Sequence, residues 1–285
     1  MRSDNGSRCA LHAAPESLFR AAAIVAFVAL SWGQAVAGPP FLTEDPVPVD
    51  YTSSEFYVFS TYDGTSDGND INLPVFEYSH GLLPDVQLTI AVPFARTAPD
   101  GGPTEWGLGD VVIGAKYRFV GESDTSLQVA VSPIAVLPTG NSSKGLGNGK
   151  TWWLLPVCVQ KSWGEWTASV AGGYVINPAD GEESHAYGGW LLQKDLGETW
   201  MLGGEVFARG KDTVDGRATT LLNFGGSYSF SPGFKLLFSA GHSVSGETHA
   251  IAYVGLWRAL GGSQSGHCGS SGFEVTGGRT SVVAC

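Results

Sequence analysis

Two stretches of the chain carry residue types in an order that could do chemistry. Gly241-His242-Ser243-Val244-Ser245 sets a serine between small residues, as a nucleophile elbow does, and His242, His249 and His185 could supply a base. An elbow needs glycine at its fifth position and a strand–turn–helix around it, whereas Ser245 stands there and no helical pattern follows. A serine nucleophile also needs a base that a third group holds in place, so a lipid-acting enzyme is kept only as an alternative. Gly149-Lys150-Thr151 resembles the end of a phosphate-binding loop, but the position of the partner glycine is Lys144 and a strand-like run follows. There is no paired-histidine metal motif. Cys158, Cys268 and Cys285 have no metal-ligand spacing, and Cys268 and Cys285 could pair or stay free in an oxidising compartment. No catalytic residue, metal or cofactor is expected.

A second set of polar residues needs its elements before it means anything. After Tyr51 the sequence runs with period two. Val86, Leu88, Ile90, Val92 and Phe94 alternate with Gln87, Thr89, Ala91 and Pro93, and Val111, Ile113, Ala115, Tyr117 and Phe119 alternate with Val112, Gly114, Lys116 and Arg118. Such alternation over eight or more residues reads as strand. Twelve segments follow this rule: 53–63, 70–81, 84–97, 109–121, 125–138, 151–162, 165–177, 185–196, 199–210, 217–230, 234–245 and 248–260. Their connections alternate between short turns (81–83, 122–124, 162–164, 196–198, 231–233) and longer stretches rich in Gly, Asp, Asn and Ser (63–69, 98–108, 139–150, 178–184, 211–215, 245–247). Short turns on one rim, longer loops on the other and an even strand number are the outer-membrane barrel pattern. The fold expected is all-β, a transmembrane up-and-down antiparallel β-barrel.

The leader agrees with that destination. Arg2, Arg8 and Arg20 precede an apolar run at 21–30, and Ala35-Val36-Ala37 fits a cleavage site, so a secretory signal peptide of residues 1–37 is expected. Ten apolar residues span only about half of the ~30 Å hydrocarbon core, which argues against a membrane anchor. The roughly 250 residues that remain suffice for one large β domain. A net charge of −11 excludes nucleic acid as a partner, because phosphate binding needs a basic face.

One face of most strands is apolar and the other is small or polar. A soluble barrel of this size would need large apolar residues inside. A light face can instead line a wet lumen, and the apolar face then meets lipid. Closure of the sheet satisfies every backbone group, as hydrocarbon demands. Trp163, Trp166, Trp200, Phe230 and Phe234 flank the short turns, and Tyr62, Trp106, Trp152, Trp153 and Tyr187 lie near the long loops, as two interfacial belts would. Pro74, Pro93, Pro138 and Pro156 are expected at bulges near the long-loop rim, while Pro133 falls mid-strand. Lys116, Arg118, Gln128, Gln160, Glu205, Arg209 and Asn223 fall on the light face and form the expected pore lining, as a ring of mixed charge. Such a ring either tunes solute passage or holds the barrel round through internal pairs.

Gly107-Leu108-Gly109-Asp110 followed by Lys116-Tyr117-Arg118-Phe119 resembles a strand of the outer-membrane barrels of the phenol-degradation meta-pathway transporter family. Leu137-Pro138-Thr139-Gly140 with the glycine-rich 144–149, and Gln160-Lys161-Ser162-Trp163 with Gly172-Gly173-Tyr174, are similar to it as well. The likeness covers roughly 38–260. It implies a channel or transporter for uptake of small hydrophobic or aromatic compounds, and it brings no catalytic residues. The chain departs from such barrels at its end, where the last strand gives way to Arg258 and a polar tail rather than a terminal aromatic.

The organisation expected is a signal peptide (1–37), a short N-terminal periplasmic segment (38–52), an outer-membrane barrel (53–260) and a Gly/Ser-rich tail (261–285) in a Gram-negative bacterium. The partners expected are outer-membrane lipid and a small solute. Residues 38–52 are too short for a hatch domain, so any plug should come from the loops, with 139–150 the candidate. A structural or surface-interaction barrel without transport is the alternative to a channel.

Overall fold

The computed structural model describes residues 39–121 and 127–261. The expected leader, the turn at 122–124 and the tail cysteines Cys268 and Cys285 lie outside the described residues. Fourteen strands make one antiparallel sheet: β1 (Ser54–Thr65), β2 (Gly68–Leu83), β3 (Val86–Pro99), β4 (Glu105–Leu108), β5 (Val111–Val120), β6 (Gln128–Val131), β7 (Ile134–Leu137), β8 (Trp152–Trp163), β9 (Trp166–Ile176), β10 (His185–Leu196), β11 (Trp200–Arg209), β12 (Thr219–Ser231), β13 (Phe234–Ser245) and β14 (His249–Leu260). Strands β4 and β5 pair in succession with β3. Strands β6 and β7 together bridge β5 and β8. Each of these two pairs is one interrupted stave, so the wall has twelve staves. Strand β1 pairs along its whole length with β14, from Ser54 opposite Leu260 to Thr65 opposite His249, and this closes the barrel.

The two interruptions have local causes. At the first, Gly109 leaves the ladder and donates its N–H to the Pro93 carbonyl at 3.0 Å. At the second, Pro133 lacks an N–H and cannot continue the ladder. The stave breaks around it, and the Pro133 carbonyl still accepts from Ala115 N–H at 3.0 Å. The other prolines behave differently from one another. Pro74 sits in a register shift between Asn72 and Val75, and Pro93, paired with Val75, flanks the same shift from the facing strand, whereas Pro156 keeps the register; the rings of Pro93 and Pro156 are fully buried.

One connection is tighter than expected. The segment read as a loop at 63–69 is a hairpin, with Thr65 opposite Gly68 and only Ser66 and Asp67 between the strands. The period-two pattern holds on the wall: Leu88, Ile90, Ile113, Tyr117, Val157, Phe224 and Val254 are exposed outward, while Ala91, Val112, Ala130, Cys158, Ala171 and Leu221 are buried. In the aromatic belts, Trp163, Trp166, Trp200 and Phe230 are exposed beside the short turns and Trp106 and Trp153 near the other rim. Trp152 is the exception, buried in the interior at 2% exposure, and Tyr187 also packs inward against the buried cluster around Val75 and Val175.

A divided lumen as the candidate functional site

Residues 39–49 do not form a periplasmic stretch. They enter the barrel and cross it at mid-height. Two alternating prolines, Pro46 and Pro48, stiffen the backbone, and Phe41, Thr43 and Val49 are buried by the wall. Eleven residues are too few for a folded hatch, yet they suffice for an extended bar across the lumen.

Both ends of this crossbar are tied to strands. At one end Glu205 of β11 accepts the backbone N–H of Leu42 and of Thr43, each at 2.8 Å, and the Asn223 amide at 2.7 Å. Beside it the Ser239 hydroxyl donates to the Pro40 carbonyl at 2.6 Å. At the other end Lys116 of β5 reaches Asp45 at 3.3 Å and Glu44 at 3.8 Å, and Val49 N–H donates to Gln87 at 2.8 Å. The wall makes room where the bar passes: a Cβ on Gly189 would come within 2.2 Å of the Thr43 hydroxyl. Glu44 lies on the crossbar rather than on a spanning strand. Its carboxyl is pushed up to about 7, chiefly by burial, against the pull of Lys116.

The crossbar leaves a cavity on each side. The one toward the long-loop rim is about 430 Å³ and is walled by Phe41, Phe59, Val75, Val112, Trp152 and Tyr253. The one toward the short-turn rim is about 290 Å³ and is bordered by Glu44, Asp45, Glu55, Gln87, Thr89 and Lys116. Pro39, Glu77 and Val112 border both, and so mark the neck between them.

A loop covers the larger cavity, as the sequence suggested for 139–150. Its anchor is Asp110, which accepts Gly140 N–H at 2.9 Å and Asn148 N–H at 2.6 Å. Leu146 is thereby turned inward, 5% exposed, over the cavity. A Cβ on Gly147 would meet Asp110 Oδ1 at 2.2 Å, so this approach requires glycine. The glycine–aspartate motif at 107–110 and the glycine-rich loop thus meet in space as lid and latch.

Of the seven expected lining residues, Asn223 and Lys116 border the cavities, and the seven do not form one ring. Arg118 pairs with Asp85 at 2.6 Å and donates to Gln128 at 2.7 Å near the short-turn rim, where Gln160 accepts from Ser169 at 2.9 Å. Lys116, Glu205 and Asn223 hold the crossbar. Arg209 lies at the opposite rim beside His249, Asp212 and Asp63. Reasoning from sequence missed Glu44, Asp110, Glu77 and the crossbar itself. The signal available was Phe41-Leu42 set among four prolines and directly followed by polar residues, which an exposed linker would not require.

The tempting motifs fail on geometry. The Ser243 hydroxyl accepts the backbone N–H of His249 at 3.0 Å, while the His249 ring is engaged by Asp63 at 3.1 Å and by Arg209. His242 is exposed on the outer face and His185 is buried with its ring against the Glu183 carbonyl. Lys150 is taken by Asp180 at 2.7 Å, an ion pair that draws the exposed Asp180 carboxyl below its usual range.

Solved barrels have the same architecture. An outer-membrane channel of the COG4313 group from Pseudomonas putida F1 superposes with a TM-score of 0.65 at 14% identity, over 76% of this chain and 98% of that one. The KdgM porin gives 0.51 at 10% identity over 72% and 99%, and the NanC porin 0.51 at 9% over 72% and 100%. No curated protein matches the sequence. Residues 54–258 match the family model described as "Putative MetA-pathway of phenol degradation", which spans the closed wall from its first strand almost to its last. The chain belongs to that family of barrels.

Proposed function

We propose that this protein is a passive outer-membrane channel for small apolar or aromatic solutes, with the crossbar as its constriction. The observation that carries the reading is the division of one lumen into two cavities that meet at Pro39, Glu77 and Val112. A purely structural barrel of this size has no need of an apolar chamber with a latched lid. The larger cavity lies within the ~300–1,000 Å³ range of small-molecule sites. The family's description, which names phenol degradation, supports an aromatic solute, and the disposition of Ser243 and His249 supports the absence of hydrolytic chemistry. Lumen charges at three heights would then tune passage rather than act as a single filter.

A second reading rests on the same crossbar. Tied at both ends, it could keep the barrel shut and leave a structural role. The test is current across a planar bilayer from the mature protein and from a variant lacking 39–49. Small steps that grow several-fold on deletion support a constricted channel. Silence from both, with folded heat-modifiable barrels, overturns it in favour of the structural reading.

A further inference from the structure

Three buried polar atoms in the larger cavity have no hydrogen-bond partner among the described residues: Glu77 Oε2, Asn223 Oδ1 and the Tyr253 hydroxyl. Glu77 is 5% exposed and Asn223 1%. They sit on β2, β12 and β14, on one side of the wall, with Phe59 of β1 between two of them and stacked on Tyr253 at 5.0 Å. Buried polar groups in folded proteins are almost always satisfied, and exceptions gathered at one place ask for an explanation. Asn223 Oδ1 accepts hydrogen bonds only, and Glu77 Oε2 and the Tyr253 hydroxyl can each accept. The walls around them are apolar and aromatic, and Asp63, Asp70 and Arg96 also line the cavity.

We propose that this cavity is a binding site selective for neutral apolar molecules that carry a hydrogen-bond donor, a hydroxyl or N–H on a ring. The inference deepens the channel reading and rests on it only for the biological use of the site. A donor-bearing ring satisfies the acceptors while its body meets Phe41, Phe59 and Trp152. A hydrocarbon or ether of the same shape leaves them unpaired, and a carboxylate brings a charge to be buried and only further acceptors. Discrimination of about tenfold, or about 1.4 kcal/mol, is expected for one unmet bond.

The experiment uses the full mature chain refolded in detergent, with phenol, anisole and benzoate as probes and binding read by calorimetry. Phenol should bind about tenfold more tightly than anisole, and benzoate should not bind measurably. Tyr253→Phe should shrink the phenol preference, and Glu77→Gln should let benzoate in. Asn223 is left unchanged because it also holds Glu205. Heat-modifiability of each variant reports that the barrel has folded. Equal binding of phenol and anisole by the folded wild type overturns the site, as do variants that leave both preferences unchanged. A barrel that conducts without the preference keeps the channel and loses the site. A silent barrel with the preference keeps the site and loses the channel.

Discussion

The two cavities lie a few residues apart and differ in kind. The larger has mainly aromatic and aliphatic walls under a glycine-rich lid, with Glu77, Asp63, Asp70 and Arg96 set among them, while the smaller is bordered by Glu44, Asp45, Glu55, Lys116 and Lys235 toward the short-turn rim. The crossbar has the same polarity written along it, with Phe41-Leu42 at one end and Glu44-Asp45 at the other. One short segment therefore sets two environments. The wall contributes to each through its light face, which varies from Val and Ala to Lys and Gln without disturbing the lipid-facing side. The lesson is that a barrel's interior is specified almost independently of its exterior, and a few tethered residues can partition it.

The largest effect should come from removing the partition at its strongest tie. Glu205→Ala strips the acceptor from two backbone N–H groups and one amide, each a hydrogen bond to a charged group of about 1.5–3 kcal/mol. The crossbar should undock, the cavities should merge, and single-channel conductance should rise several-fold, whereas unchanged conductance would show that the bar does not control passage. Lys116→Met attacks the opposite end. It leaves Glu44 facing the interior without its cation, and breaking a buried pair costs about 3–5 kcal/mol, less here because Asp45 is 36% exposed. A spin label on the crossbar should gain mobility, and the channel should lose part of its charge selectivity.

Asp110→Ala touches only the larger cavity. It orphans the N–H groups of Gly140 and Asn148, each about 1–3 kcal/mol. Hydrogen exchange and proteolysis should accelerate at 140–149 while the crossbar stays protected, which would separate lid from bar.

The smallest effect is on pH. The docked Glu44 carboxyl titrates at about 7 and an undocked one near its ordinary value of 4.5, so docking is strongest below 4.5 and weakens as pH rises toward 7. Lys116, Asp45, Cys158 and Ser132 face this group. Current should rise across that window and level off above it, and in Lys116→Met the rise should move to higher pH.

Most of the wall could be read from the sequence because its rule is local. Alternation along β3, β5 and β12 needs only neighbouring residues, and turn chemistry fixes where a strand must end. The hairpin at 66–67 escaped because Asp, Gly and Asn at 63–70 suit a loop composition, while pairing with β14 and β2 extends both strands through them. The interior was legible only in part. Inward-facing residues follow from parity, but their partners do not: Arg118 meets Asp85 across 33 positions, Glu205 meets Leu42 across 163, and Asp110 meets Asn148 across 38. Such pairings are set by the curvature of a closed wall. Pro133 was visible as a conflict, and the fold resolves it by breaking the stave.

The crossbar also constrains how the protein can be handled and assembled. Pro39 lies inside the lumen and borders both cavities. A tag fused directly to Pro39 would compete for that space and act as a stopper, so a label belongs on the exposed long-loop rim. The same geometry bears on assembly, because the wall has to close around the crossbar or the crossbar has to dock into a wall already closed.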